Sequence, residues 1–215
     1  LLEKISGDEV LLSLSVAGPA SQTIKLDEEN LKIITQNPLV KKVAPLASLP
    51  AQLSLEALTG NTVVRAVDAD YFKYAGVRLK DGVLWNEEKD KVVISEAILK
   101  LFNIGSAKEA IGKKVSLTLF VPIVEGETEN VKVVAIPDQF EIIGVAEENE
   151  ANFIYFPLTR LKEYTPISEY EMAKVRVHKG EDLDFVHESL IERGFQVSAL
   201  SDTLDQANKI FRVIQ

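Results

Sequence analysis

The stretch AKVRVHKGEDLDFVHESLIERGFQVSAL, residues 173–200, decides the fold. Ala173–Val177 alternates apolar and charged side chains, the period of a half-buried strand. Asp182 then opens a helix with Leu183, Val186, Leu190 and Ile191 on one face, and Gly194 closes it. Gln196–Leu200 is a second strand. A strand, a helix and a strand in so short a span need a common sheet to pack on.

The other end of the chain has the same order. Val10–Val16 reads as a strand, broken at Gly18-Pro19. Asp27 caps a helix with Leu31, Ile33 and Ile34 as its core face, ending before Pro38. Val40–Val43 begins an extended segment that continues, with interruptions, through Leu53 to Val67. Pro45 and Pro50 within it predict an edge or irregular strand.

Between the two ends the pattern is mostly β. Tyr71–Gly76 is a short helical turn. Lys91–Ile94 is a buried strand, and Ser95 caps a helix carrying Ala97, Ile98, Leu101 and Phe102, stopped by Gly105. A long strand runs from Val115 to Val124. It turns at Glu125-Gly126-Glu127-Thr128-Glu129-Asn130 and returns from Val131 to Ile136, a hairpin. Phe140–Val145 and Phe153–Phe156 are further strands. Gly112 and Gly144 fall where a strand must turn or admit another backbone.

The expectation is an α+β fold of two parts. Residues 1–55 and 165–215 make a discontinuous strand-helix-strand subdomain with two helices on one side of its sheet. Residues 56–164 make an inserted β-rich subdomain.

Composition narrows the function. A chain of 215 residues can bury roughly 70% of its unfolded surface, enough for a core without metals or disulfides. The net charge of −9 repels phosphate backbones, which argues against nucleic acid as a partner. Cysteine is absent, so there is neither a disulfide framework nor a thiolate metal site. No stretch reaches the roughly 18 apolar residues of a membrane span.

The chemistry-bearing residues are few. No phosphate loop, dinucleotide fingerprint, nucleophile elbow or zinc-helix motif occurs. His178 and His187 lack a third ligand at a useful spacing and read as surface histidines. Glu181, Asp182 and Asp184 suit the first turn of a helix, where the dipole favours acids. Glu147-Glu148-Asn149-Glu150 reads as a solvated loop, and Asp68 and Asp70 lack calcium-loop spacing. Ser95 precedes a helix with no histidine near it, so it is an N-cap and not a nucleophile. Tyr71, Phe72, Tyr74 and Trp85 fall close together and read as a small aromatic core, with a ligand groove as the alternative. No set of acid, base and nucleophile emerges, and the chain is read as no enzyme.

Both termini are abrupt. The sequence opens on Leu1-Leu2 without methionine and ends at Lys209–Gln215 on an amphipathic run. Leu204, Ala207, Phe211 and Ile214 recur at spacings of three, four and three, the seam of a packed helix. Leu1, Leu2 and Ile5 would be the tail of another helix. The two together would form a stalk that continues into membrane spans.

Several of these segments, taken in order, resemble the MacB-like periplasmic core domain of ABC transporter permeases, the MacB/FtsX/LolC class. They are Val92–Ala97, Leu101-Phe102-Asn103, Ile111–Val115, Phe140–Val145 and Ile154–Leu158. The resemblance covers essentially the whole chain. It implies a porter-like subdomain formed by the two ends and a sabre-like subdomain formed by the insertion. It implies a non-catalytic domain on the extracytoplasmic (periplasmic or extracellular) side of a cell membrane. Such a domain couples cytoplasmic ATP hydrolysis through stalk helices to substrate export or to an extracytoplasmic partner. No cofactor is expected in the domain itself, because ATP is bound by a separate cytoplasmic subunit or domain. The implied partners are a cytoplasmic ABC ATPase, the transmembrane helices of the same permease, a second permease in a homodimer or heterodimer, and an extracytoplasmic protein or lipid cargo. The Val115–Ile136 hairpin is long for this family, which makes its tip, Glu125–Asn130, a candidate partner contact. The alternative is a free-standing extracytoplasmic module that binds a peptide or a lipid.

Overall fold

The computed structural model describes residues 9–87 and 89–199. The chain divides into two compact units. One takes the residues up to Leu46, Asp70–Gly76 and those from Ser168; the other takes Ala47–Ala69 and Val77–Ile167. The sequence places the boundaries at 55/56 and 164/165 and assigns residues 70–76 to the insertion, whereas here those residues pack with the terminal unit.

In the first unit, β1 (Ser13–Ala17), β10 (Met172–Val177) and β11 (Gln196–Ala199) form a sheet with the first half of β2 (Val40–Leu55). The order is β11-β1-β10-β2, and each pairing is antiparallel. Helix α1 (Glu28–Thr35) buries Leu31 and Ile34, while Ile33 points to solvent, so its expected core role is not met. Asp27 accepts the Asn30 N–H at 2.9 Å, the expected N-cap. The strand predicted from Val10 starts only at Ser13, because residues 9–11 are helical.

Helix α2 spans Ala69–Ala75, and helix α6 (Leu183–Glu192) packs on β1 and β11. Asp182 makes no side-chain cap, since the 3₁₀ turn Gly180–Asp182 runs straight into α6. Gly194, at φ +98°, ends that helix: its N–H bonds Ile191 and the next N–H bonds Leu190.

The second unit contains the rest of β2, β3 (Leu58–Val67), β4 (Leu79–Gly82), β5 (Lys91–Ser95), β6 (Lys114–Glu125), β7 (Thr128–Ala135), β8 (Phe140–Ala146) and β9 (Phe153–Pro157). Pairing runs β2-β3-β9-β5-β8-β6 and returns from β6 to β2 through Ala51↔Leu119 to Ser54↔Ser116. Six strands therefore close a ring, which removes edges along it. The β3–β9 and β5–β8 pairs are parallel. Leu53, Val64, Ile94, Ile154 and Leu119 are fully buried, and the Phe140 and Phe156 rings meet edge to face at 4.7 Å.

Pro45 and Pro50 do not make β2 an edge strand. β2 is continuous for 16 residues, and the two prolines bracket the point where it exchanges partner β10 for β6. Helix α3 (Glu96–Leu101) ends at Asn103, φ +55°, and not at Gly105. The Asn103 N–H bonds Lys100, and the Ile104 N–H bonds Leu99. Asparagine supplies the left-handed residue that glycine usually provides. Gly82 and Gly144 face each other across β4 and β8. A methyl on Gly82 would lie 2.2 Å from the Ile143 carbonyl, and one on Gly144 would lie 2.6 Å from that of Val83. Two short helices complete the unit, α4 (Ala107–Ala110) and α5 (Leu158–Tyr164).

Candidate functional site

Strand register sorts the first unit's sheet into two unlike faces. Residues opposite each other on neighbouring strands share a face. Leu14, Val16 and Val175, all fully buried, make one face apolar. The other face carries Ser13 beside Arg176, Ser15 beside Lys174, and Lys42 beside Arg176. Cations on a covered face require anions close by.

Those anions come from residues 9–11 and from α2. The Arg176 side chain is only 7% exposed. Its Nε lies 2.7 Å from Glu9 Oε2 and its second terminal nitrogen 3.3 Å from Oε1, a forked guanidinium–carboxylate pair. The hydrogen bond from Arg176 holds the Glu9 carboxyl below its ordinary range. The Glu9 carbonyl also accepts from Ser13 Oγ at 2.7 Å. Asp70 on α2 pairs with Lys42, and with Lys73 at 3.6 Å. Burial pushes the Asp70 carboxyl up, but the hydrogen bond and charge of Lys42 outweigh it and the net shift is downward. Val10 packs on the end of α2, where a methyl on Gly76 (φ +63°) would come within 2.8 Å of Val10 Cγ2. Lys174 donates to Ser15 Oγ at 2.5 Å, and burial lowers its pKa. The result is an ionic seat for residues 9 and 10. It holds a backbone in place.

The second feature is the hairpin. Glu125 pairs with Thr128, leaving the two-residue turn Gly126-Glu127 with Gly126 at φ +67°. All six candidate contact residues, Glu125, Gly126, Glu127, Thr128, Glu129 and Asn130, are exposed. The seam residues Leu204, Ala207, Phe211 and Ile214 lie outside the described residues, as do Leu1, Leu2 and Ile5.

The other residues singled out by sequence fall as follows. Ser95 occupies the N-cap position without capping. Its fully buried hydroxyl accepts the Phe153 N–H at 3.1 Å, tying β5 to the start of β9. Tyr71, Phe72, Tyr74 and Trp85 are each buried, but the first three belong to the first unit and Trp85 to the second. Tyr71 donates to Met172 Sδ at 3.7 Å. Glu147, Glu148, Asn149 and Glu150 line an open acidic depression of about 540 Å³ with Lys80 and Glu96, which pair with each other. His178 is exposed at the end of β10, and His187 is half-buried on α6. Among the described residues no group of three histidines or carboxylates is placed to hold a metal.

Sequence reasoning missed Arg176, whose only signal is a charge between two buried valines. It also missed Arg160 on α5. That side chain, 14% exposed, lies 3.1 Å from Asp90 and 2.9 Å from Asp138, pairs with Glu163, and sits over the rings of Phe140 and Tyr164. Tyr164 donates to Asp138; burial first, and that bond second, push its phenol up to about 12. This cluster pins α5 to the ring.

A mixed α+β chain with a closed six-strand ring, a four-strand sheet and a projecting hairpin defines a class, and comparison with known families gives it a name. The model of the MacB-like periplasmic core domain matches residues 2–193, so the chain belongs to that family. Among solved structures, it is similar to the periplasmic region of MacB from Actinobacillus actinomycetemcomitans. The identity is 17% and the TM-score 0.64, covering 94% of this chain and 95% of that one. It is also similar to the extracellular domain of the noncanonic ABC-type transporter YknZ from Gram-positive bacteria. There the identity is 15% and the TM-score 0.58, over 87% of this chain and 98% of that one. No curated protein matches it in sequence. Family and fold together support an extracytoplasmic domain of an ABC-type transporter permease, which works with an ATPase. No helix among the described residues is long and apolar enough to cross a membrane.

Proposed function

We propose that this domain is a non-catalytic relay. It receives motion generated by cytoplasmic ATP hydrolysis and passes it to an extracytoplasmic substrate or partner. One observation carries this reading. β1 and β11 are antiparallel neighbours, with Leu14 opposite Ala199. The chain therefore enters the first sheet and leaves it at the same end. A segment joined before Ser13 and one joined after Ala199 would therefore start from neighbouring points, as two stalk helices require. The Glu9–Arg176 pair supports the reading, because it fastens the incoming segment to β10.

The seam Leu204, Ala207, Phe211 and Ile214 would pack the outgoing helix against its neighbour. In the intact permease, F211D together with I214D is expected to leave ATP hydrolysis in place and abolish the extracytoplasmic event. Normal coupling in that variant would overturn the relay.

A further inference from the structure

β6 leads two lives. From Lys114 to Leu119 it pairs with β8 and β2 and belongs to the ring. From Phe120 to Glu125 its partner among the described pairings is β7. Residues 120–133 thus form a two-stranded arm. Phe120 lies opposite Val133 and Pro122 opposite Val131, with Val124 next on the same face. Val124, Val131 and Val133 are 73%, 61% and 62% exposed. An apolar stripe of this kind on a surface arm signals contact with another molecule.

The two long edges of the arm differ. β6 carries Pro122, which has no N–H to offer a further strand. β7 reads Thr-Glu-Asn-Val-Lys-Val-Val-Ala, without proline and rich in strand-forming residues. Natural edge strands are guarded by prolines, bulges, shortness or lysines. β7 is eight residues long and carries one lysine, Lys132. Charge then narrows the occupant: residues 120–135 carry three glutamates, Glu125, Glu127 and Glu129, against Lys132 alone.

We propose that the outer edge of β7 accepts an extended segment of a partner protein as an added strand. That segment is apolar at alternate positions, over Val131 and Val133, and basic toward Glu127 and Glu129. Main-chain hydrogen bonds would supply affinity and the alternating side chains specificity. A second copy of this chain brings the same glutamates and a net charge of −9, so it lacks the positive complement. The proposal moves the contact from the hairpin tip to its flank and does not depend on the relay.

The test titrates the 215-residue domain with capped ten-residue peptides: alternating valine and lysine, alternating valine and glutamate, and the lysine peptide broken by a central proline. Amide hydrogen exchange over residues 128–135 is the readout. The valine–lysine peptide should slow exchange there by about tenfold, which corresponds to about 1.4 kcal/mol. The other two peptides should not. E127K in the turn together with E129K in the exposed start of β7 should switch the preference to the valine–glutamate peptide. V133P should abolish protection by the valine–lysine peptide. Equal protection by the intact and proline-broken lysine peptides would reduce the effect to charge and overturn strand addition. So would an absence of protection by any peptide. Concentration-dependent protection of β7 without peptide would assign the edge to a second copy and overturn the proposal as well.

Discussion

The ring of the second unit and the seat of the first solve burial in opposite ways. The ring closes on itself and fills its interior with Leu53, Val64, Ile94 and Ile154, none of them exposed. Its stability rests on apolar area removed from water, which is blind to charge and needs no outside segment. The seat instead buries Arg176 and answers it with Glu9, a residue that precedes the first strand. Removing that acid leaves a covered cation without its counter-charge. The ring is therefore a body, and the seat is a place where the position of another piece of chain registers as energy.

The largest expected effect breaks the ring. Leu53→Ala should cost about 2–5 kcal/mol, as buried leucine truncations do. Region-resolved hydrogen exchange should show β5 and β8 losing protection while β1 and β10 keep theirs. Equal losses in both units would erase the contrast. Next, Arg176→Ala strands the Glu9 carboxylate. Breaking a fully buried pair costs about 3–5 kcal/mol, and the 24% exposure of Glu9 brings the expectation to about 2 kcal/mol. Residues 9–12 and β10 should exchange faster, with the ring unmoved. A double-mutant cycle with Glu9→Gln would measure the coupling, and a value near zero would demote the seat to decoration. Ser95→Ala should cost about 1 kcal/mol, confined to the ring, because the Phe153 N–H loses its acceptor.

The smallest effect is a pH dependence. The Glu9 and Asp70 carboxyls sit below their ordinary values of 4.5 and 3.8. A depressed folded-state pKa stabilises above the unfolded value, and that stabilisation fades as pH falls through it. Acidification from pH 7 towards 3 should loosen residues 9–12 and α2 before the Leu53 core responds. Simultaneous loosening, followed by exchange, would mean that the ring depends on ionised groups too.

Local chemistry in this chain was legible, and long-range pairing was not. Alternation at Ala173–Val177, the Gly194 stop, the Asp27 cap and the existence of a hairpin turning near Gly126 all follow from neighbours in sequence, although the turn itself is two residues and not six. Closure of the ring does not, because Ala51–Ser54 meets Leu119–Ser116 from more than 60 residues away. Nor does the seat, since Glu9 and Arg176 are 167 residues apart. The prolines misled for a related reason. Position 45 falls where β2 changes company, and a strand that trades partners tolerates a missing donor that a uniformly paired one does not. Ser95 was placed correctly and given the wrong bond, because Phe153 offers its N–H from a strand that only the fold brings near. For the candidate site, sequence reached the hairpin tip but not the apolar flank beside it, which needs the β6–β7 register to be seen as one stripe.

The antiparallel neighbours β1 and β11 make the domain mechanically anisotropic. When both flanking segments are drawn together in one direction, the strands share the tension and the sheet travels whole. When they are splayed apart, the same strands open like a zipper, one rung after another from the Leu14–Ala199 end. Optical-tweezer handles at positions 13 and 199 would rip the pair at low force. The fold thus tolerates a tandem tug far better than a divergent one.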